Sequence, residues 1–243
     1  MLAVTNNLTS FIQGHINKQE ELKQTALNKR FYSAIDNNNV DQLRTLSKTD
    51  LKIQPRKGDI ASPLMIAVRN GNKEIVELLI DDFKVDINFQ LKEGKCKGAT
   101  ALHIAIVNEC EEIVGFLIKK GADIELAEKS GETPLHFALC SGKENIVSLL
   151  LAAGANVWSY DKLGHNSLCH AIDSRETKMI KQLFEHIENP RDILELLNQK
   201  DFGFSAIDHS QNTRYCSSIT NYLKEQKREY EKLTESSDKK IQS

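Results

Sequence analysis

Long apolar runs are absent from this 243-residue sequence. No stretch approaches the ~18–20 apolar residues that a membrane-spanning helix needs, so membrane insertion is not expected. A dominant charge is missing too. Formal net charge is −2 with 27% charged residues, which leaves no global pull toward nucleic acid or an anionic membrane. Aromatic residues make up only 6%, so the core falls to Leu, Ile, Val and Ala packed between helices. Cys96, Cys110, Cys140, Cys169 and Cys216 are odd in number and form no C-x-x-C pair. That pattern suits reduced thiols in a cytoplasmic compartment, not disulfides or a zinc site. The opening MLAVTNNLTSFIQGH has neither a basic start nor a long apolar run, so it does not read as a secretory signal. No Gly-rich phosphate loop and no H-x-x-E-H set is present, so neither a nucleotide, a cofactor nor a metal is expected.

What is present is a well-punctuated stretch, Gly131 to Asn156 (GETPLHFALCSGKENIVSLLLAAGAN). Thr133 can cap a helix whose first turn takes Pro134, where no backbone donor is needed. Leu135, Ala138 and Leu139 share one helical face. Ser141-Gly142 breaks the run, and Asn145 to Leu151 begins a second helix that Gly154 can close in the left-handed conformation. One such pair cannot bury its apolar faces alone, so recurrence is the test. TALHIAIVNECEEIVGFLIKKGAD (Thr100–Asp123) matches the stretch almost position by position, one period of about 33 residues earlier. SPLMIAVRNGNKEIVELLIDDFKVD and FYSAIDNNNVDQLRTLSKTD precede it, and NSLCHAIDSRETKMIKQLFEH follows. Five helix pairs thus begin near Lys29, Ser62, Thr100, Thr133 and Asn166.

TPLHFA, EEIV, LLLAAGAN and KKGAD resemble the ankyrin repeat, whose signature is T-P-L-H-x-A. The resemblance implies an all-α solenoid of five to six helix-turn-helix repeats, with β-hairpin fingers projecting sideways and atypical capping ends. It covers residues 29–187 clearly. Residues 1–28 read as an N-terminal helical cap of one or two helices. Residues 188–223 read as an inserted helix (Asp192–Leu197) followed by a degraded final repeat or C-terminal cap. Residues 224–243 form a charged tail that continues the last helix to about Leu233 and then frays. The helix–helix turns carry Asn38, Gly71, Glu109, Gly142 and Arg175 at the left-handed position. Closing glycines stand at Gly121 and Gly154 and are absent after Ile80 and Phe184. Order is therefore expected to be highest between Thr100 and Asn156.

His103 and His136 occupy the motif histidine position. They are read as scaffold, bonding backbone groups of their own unit and the next one, and not as metal ligands or bases. The family implies a non-enzymatic module that binds another protein by its concave face and fingers, and a monomer is expected. The matching helix ends are Arg69 and Asn70, Val107 and Asn108, Cys140 and Ser141, and Asp173 and Ser174. With the finger residues Lys129, Ser130, Glu132, Lys162, Leu163 and His165 they are expected to make one continuous ribbon. The long connector FQLKEGKCKGA adds a basic finger with Lys92, Lys95 and Lys97. Three lysines without interleaved aromatics do not make a nucleic-acid footprint. Trp158 and Tyr160 stand in a finger where the family has small or polar residues, and are read as an exposed binding hot spot. The alternative for Trp158 is packing near Asp201–Phe204.

Two further readings belong to the C-terminal third. One is an enzyme using Cys169, His170, His209 or Cys216, since a thiol nucleophile needs a histidine within reach; another is a purely structural scaffold. The tail has Glu225, Glu229, Glu231 and Glu235, then small polar residues, with Ile241 third from the end. This resembles the C-terminal signal of effectors that intracellular bacteria send into host cells.

Overall fold

Asn39 starts the first complete helix–helix turn. Its side chain accepts from Gln42 N at 2.9 Å, and Asn38 before it takes a positive φ of 52°. The same grammar recurs along the chain, and the computed structural model is built almost wholly of the helix pairs it produces. It describes residues 2–47, 51–53, 61–201, 204–212 and 217–241. Contacts divide the chain into two units, one up to Asp86 and one from Ile87.

The first unit holds α1 (Leu2–Asp36), α2 (Val40–Leu46), α3 (Pro63–Arg69) and α4 (Lys73–Asp81). Helix α1 pairs with α2, and α3 with α4; α1 also packs on α3, and α2 on α4. Phe31, Ile35, Leu43, Leu64, Met65, Val76 and Leu79 are buried between them. The edge-on contact of Phe31 with Phe83, at 5.0 Å between ring centroids, closes that core. Helix α1 runs unbroken through the boundary placed between residues 28 and 29. It is fastened there by polar bonds: Lys52 N donates to Gln24 Oε1 at 3.0 Å, and Asn28 Nδ2 donates to Lys52 O at 2.9 Å. A helix needs a breaker to stop, and none occurs between that boundary and Asn37-Asn38.

The second unit holds three consecutive pairs: α5 (Ala101–Val107) with α6 (Glu111–Lys119), α7 (Pro134–Cys140) with α8 (Glu144–Ala152), and α9 (Ser167–Asp173) with α10 (Thr177–His186). The first helices stack as α5–α7–α9 and the second as α6–α8–α10. Leu102, Ala105, Val114, Leu117, Leu135, Ala138, Val147, Leu150, Leu168, Ile180 and Leu183 form the buried seam. Then come α11 (Pro190–Asn198), a two-stranded antiparallel ribbon of β1 (Lys200–Asp201) and β2 (Phe204–Ser205), α12 (Ala206–Asn212) and α13 (Ser217–Ile241). Helix α12 packs on α9 as a further first helix would, while α11 and α12 both lie against α13. Helix α13 continues to Ile241, beyond the fraying point expected near Leu233.

The connectors depart from the expected β-hairpins. Among the described residues they are hydrogen-bonded turns with no strand ladder. Leu91 N bonds Ala99 O, Glu128 N bonds Glu132 O, and Asp161 N bonds His165 O. Tyr160 and Asn166 form one isolated bridge. The 89–99 turn adds one more bond across its arms, from Gly98 N to Leu91 O at 2.7 Å. Adjacent turns also lock to each other: Lys162 N donates to Ser130 O at 2.7 Å, and Gln90 Nε2 to Ala127 O at 3.2 Å.

Candidate functional site

The motif histidines build the frame. His103 and His136 sit at the third position of α5 and α7, where Nδ1 accepts from the backbone N–H of Thr100 and Thr133, each at 3.2 Å. Nε2 of His136 reaches Ser159 O in the next finger at 3.1 Å. An imidazole that accepts through Nδ1 donates through Nε2, so it must be neutral. Burial pushes both rings down, to about 4, as expected for a desolvated cation. One imidazole thus fastens its own helix to the finger beyond it.

In α9 the same position is Cys169, and Asn166 takes over the capping work. Its Oδ1 accepts from Leu168 N at 3.1 Å and Cys169 N at 3.2 Å, and its Nδ2 bonds Gln199 Oε1 at 3.2 Å. The histidine now comes one residue later. His170 is buried and stacks on His136, with centroids 4.5 Å apart and planes 20° from parallel. Its Nε2 lies 3.3 Å from Asp161 Oδ2, and its Nδ1 lies 3.8 Å from Glu132 Oε1. Burial lowers its pKa, against the opposing pull of Glu132, Asp161 and Asp173.

Asp161 is the hub of its finger. Oδ1 accepts from Leu163 N and His165 N, both at 2.8 Å. Oδ2 faces His170 and also His165 Nδ1, at 3.5 Å. Further along, His209 Nε2 meets Asp173 Oδ1 at 2.9 Å, and the His165 and His209 rings are 5.0 Å apart. Four imidazoles and three carboxylates from α7, α9, α12 and two fingers therefore form one connected set. Sequence reasoning missed Asp161, and it named His170 only as a candidate partner of a thiol. No spacing motif joins these residues, because they meet only once the repeats stack.

The expected ribbon residues fall out unevenly. In the second unit Val107, Asn108, Lys129, Cys140, Ser141, Lys162 and Leu163 are exposed, while Ser130, Glu132, His165, Asp173 and Ser174 are half-buried. Several of these have internal roles. Ser130 Oγ lies against Glu128 and Glu132, Lys162 Nζ donates to Lys129 O at 2.6 Å, and Ser174 Oγ donates to Ala171 O at 2.7 Å. Lys92, Lys95 and Lys97 are exposed on the 89–99 turn. In the first unit Arg69 is exposed, and Asn70 donates its amide to Ile35 O at 3.1 Å. Trp158 does not take the exposed place of the hot-spot reading. It is half-buried and shares a depression with Val157, Ile187, Asn189 and Asp192, between α10 and α11. The start of α11 forms the far wall of that depression. Tyr160 stays 43% exposed and Leu163 64%.

For thiol chemistry the geometry offers little. Cys169 is buried, and Cys216 lies outside the described residues. Cys140 reaches the surface, yet partial desolvation and then the carboxylates of Asp173 and Glu132 push its thiol up. A nucleophile needs the opposite shift.

Sequence comparison places residues 31–128 and 124–193 in the family described as ankyrin repeats (3 copies). The chain belongs to the ankyrin-repeat family, as the motif resemblance implied. Among curated relatives, alpha-latroinsectotoxin-Lt1a of Latrodectus tredecimguttatus is 47% identical over 62 residues, which is 26% of this chain and 4% of the toxin. Ankyrin repeat and SAM domain-containing protein 6 of Rattus norvegicus is 40% identical over 73 residues, 30% of this chain and 8% of that protein. The Notch-regulated ankyrin repeat-containing protein of Xenopus laevis is 36% identical over 63 residues, 26% of this chain and 54% of its own length. The chain thus spans only a small part of the longer relatives. Ankyrin repeats generally mediate protein–protein interaction. Among the described residues no helix is long and apolar enough to cross a membrane.

Proposed function

We propose that this chain is a non-enzymatic module that holds a partner protein through the helix ends and finger turns of its second unit. One observation carries the reading. Tyr160 and Leu163 are exposed on a turn whose backbone is fixed from both sides, by Asp161 and by the Lys162–Ser130 bond. Large apolar side chains on a rigid polar frame lose little freedom when a partner covers them. Val107, 58% exposed at the end of α5, extends the same chemistry to another repeat. Cys140, Ser141, Lys129 and the exposed lysines of the 89–99 turn supply polar contacts around it. The partner is read by shape and scattered contacts, without one dominant ion pair.

The test is affinity capture with the whole chain beside a Tyr160→Ala/Leu163→Ala variant, read by mass spectrometry. A partner retained by the native chain and lost by the variant, at equal thermal stability, is the expected result. An identical retained set would remove this surface from consideration. Action inside a host cell, with the acidic tail as the address, is proposed alongside. It rests on the glutamates Glu225, Glu229, Glu231 and Glu235. Truncation after Lys224 that leaves transfer into host cells unchanged would discard it.

A further inference from the structure

Where the fingers of the second unit meet α9, two carboxylates and one imidazole are oriented toward each other without satisfying each other. Glu132, Asp161 and His170 bring one ligand atom each to within 4.8 Å of one another. Asp161 is buried, and both backbone bonds described above go to its Oδ1. That leaves Oδ2 aimed at His170. His170 Nε2 is a buried atom with no hydrogen-bond partner, although Asp161 Oδ2 is only 3.3 Å away. The N···O line is too poorly aligned to carry a proton between them.

Off-line geometry suits a metal ion better than a hydrogen bond. Bonds of about 2.0–2.2 Å that meet at a tetrahedral angle put ligand atoms about 3.3–3.5 Å apart, with the ion off the line joining them. The Asp161–His170 separation already has that value. The imidazole is also presented in fixed orientation. His136 stacks on it, and His136 is itself tied at both ring nitrogens, to Thr133 N and Ser159 O. Glu132 is the solvent-side member: its side chain is 31% exposed, Oε2 accepts from Ser130 Oγ at 2.9 Å, and Oε1, 3.8 Å from His170 Nδ1, is the oxygen left for the ion. His165 faces the same Asp161 oxygen from the edge of the set.

We propose that Glu132, Asp161 and His170 form a binding site for one divalent transition-metal ion of the zinc type, with water completing its coordination. Imidazole nitrogen with carboxylate oxygen favours zinc and its first-row neighbours over magnesium or calcium, which take oxygen donors. Two carboxylates neutralise the ion, so it adds little net charge to a buried place. The ion would tie the 128–132 and 161–165 turns to α9 and stiffen the surface beside Leu163.

The experiment uses the whole chain, stripped with a chelator and titrated with Zn²⁺ by calorimetry, and with Co²⁺ as a spectroscopic probe. One ion per chain is expected, with a nitrogen–oxygen ligand-field spectrum and a raised melting temperature. Asp161→Asn and His170→Gln should each lower zinc affinity by at least about tenfold, the scale on which weaker perturbations of a metal site act. Glu132→Gln, at a half-exposed position, keeps the test decisive should either buried variant fail to fold. It should weaken zinc and erase the thermal gain. Zinc affinity unchanged in Glu132→Gln, no uptake at all, or a thiolate charge-transfer band pointing to Cys96 or Cys140 would each overturn the site.

Discussion

Helix pairs α7–α8 and α9–α10 share one architecture and are fastened differently. In the first, Thr133, Pro134, His136, Gly142 and Gly154 occupy the positions that the repeat motif prescribes. In the second, Asn166 caps the helix, Cys169 replaces the histidine, Arg175 takes the left-handed turn at φ 61°, and Ile187 ends α10 in an extended conformation. Both first helices bury the same face. The difference teaches that the fold needs a satisfied set of backbone donors, and accepts more than one way to satisfy them. Once Asn166 has done so, a histidine is no longer needed at the third position. The one at His170 is then left to face Asp161 and Glu132.

Acid should have the largest effect on the histidine fastening, and His170, also lowered by burial, carries part of that effect into α9. His103 and His136 have an ordinary value of 6.5 and fall to about 4 when folded. Between those limits the unfolded chain binds protons that the folded chain refuses. Stability is therefore complete above about pH 6.5 and is lost as pH falls toward 4, by up to about 3 kcal/mol for each ring. Urea unfolding at pH 7.5, 6 and 4.5 measures it, and a flat profile would contradict the neutral-scaffold reading. A replacement series sharpens the contrast. His136→Ala strands Thr133 N and Ser159 O and leaves a cavity, a loss of about 3 kcal/mol. Cys169→Ala removes no cap, and should cost about 1 kcal/mol. Equal losses in thermal unfolding would mean that the histidine bonds carry no special weight.

The smallest effect lies in the helix–helix turns. Gly142 has φ 66°, and Gly142→Ala should cost about 1 kcal/mol because a Cβ is disfavoured there. Glu109 already bears that strain at φ 58°, and its exposed pairing with Lys143 at 2.7 Å offsets part of it. Exposed pairs contribute little, so Glu109→Gly should gain about 0.5 kcal/mol in denaturant melts. A loss of that size would show that the ion pair outweighs the backbone.

Much of this frame was legible in the residues. All five turn positions named from the repeat alignment have positive φ: Asn38, Gly71, Glu109, Gly142 and Arg175. Register within a repeat is local, so spacing reveals it. The left-handed Lys84, which does the work of a closing glycine after α4, was not foreseen. Neither was the continuity of α1, because an apolar pattern shows where a helix can form more clearly than where it must begin. The carboxylate–imidazole set was the least legible. Glu132, Asp161 and His170 become neighbours through stacking, and no pairwise spacing reports a stack. Trp158, for which both an exposed and a packed place were open, is half-buried beside the start of α11, which lies outside the repeat pattern.

The bond from Lys162 N to Ser130 O sets a schedule for synthesis. The acceptor leaves the ribosome first and waits for a donor about 30 residues downstream. At the ordinary pace of about 5–20 residues per second, that wait is on the order of seconds. His136 waits for Ser159 in the same way. Each finger is thus completed by its successor, and a nascent chain paused between them would display a turn whose carbonyls are still open to a chaperone.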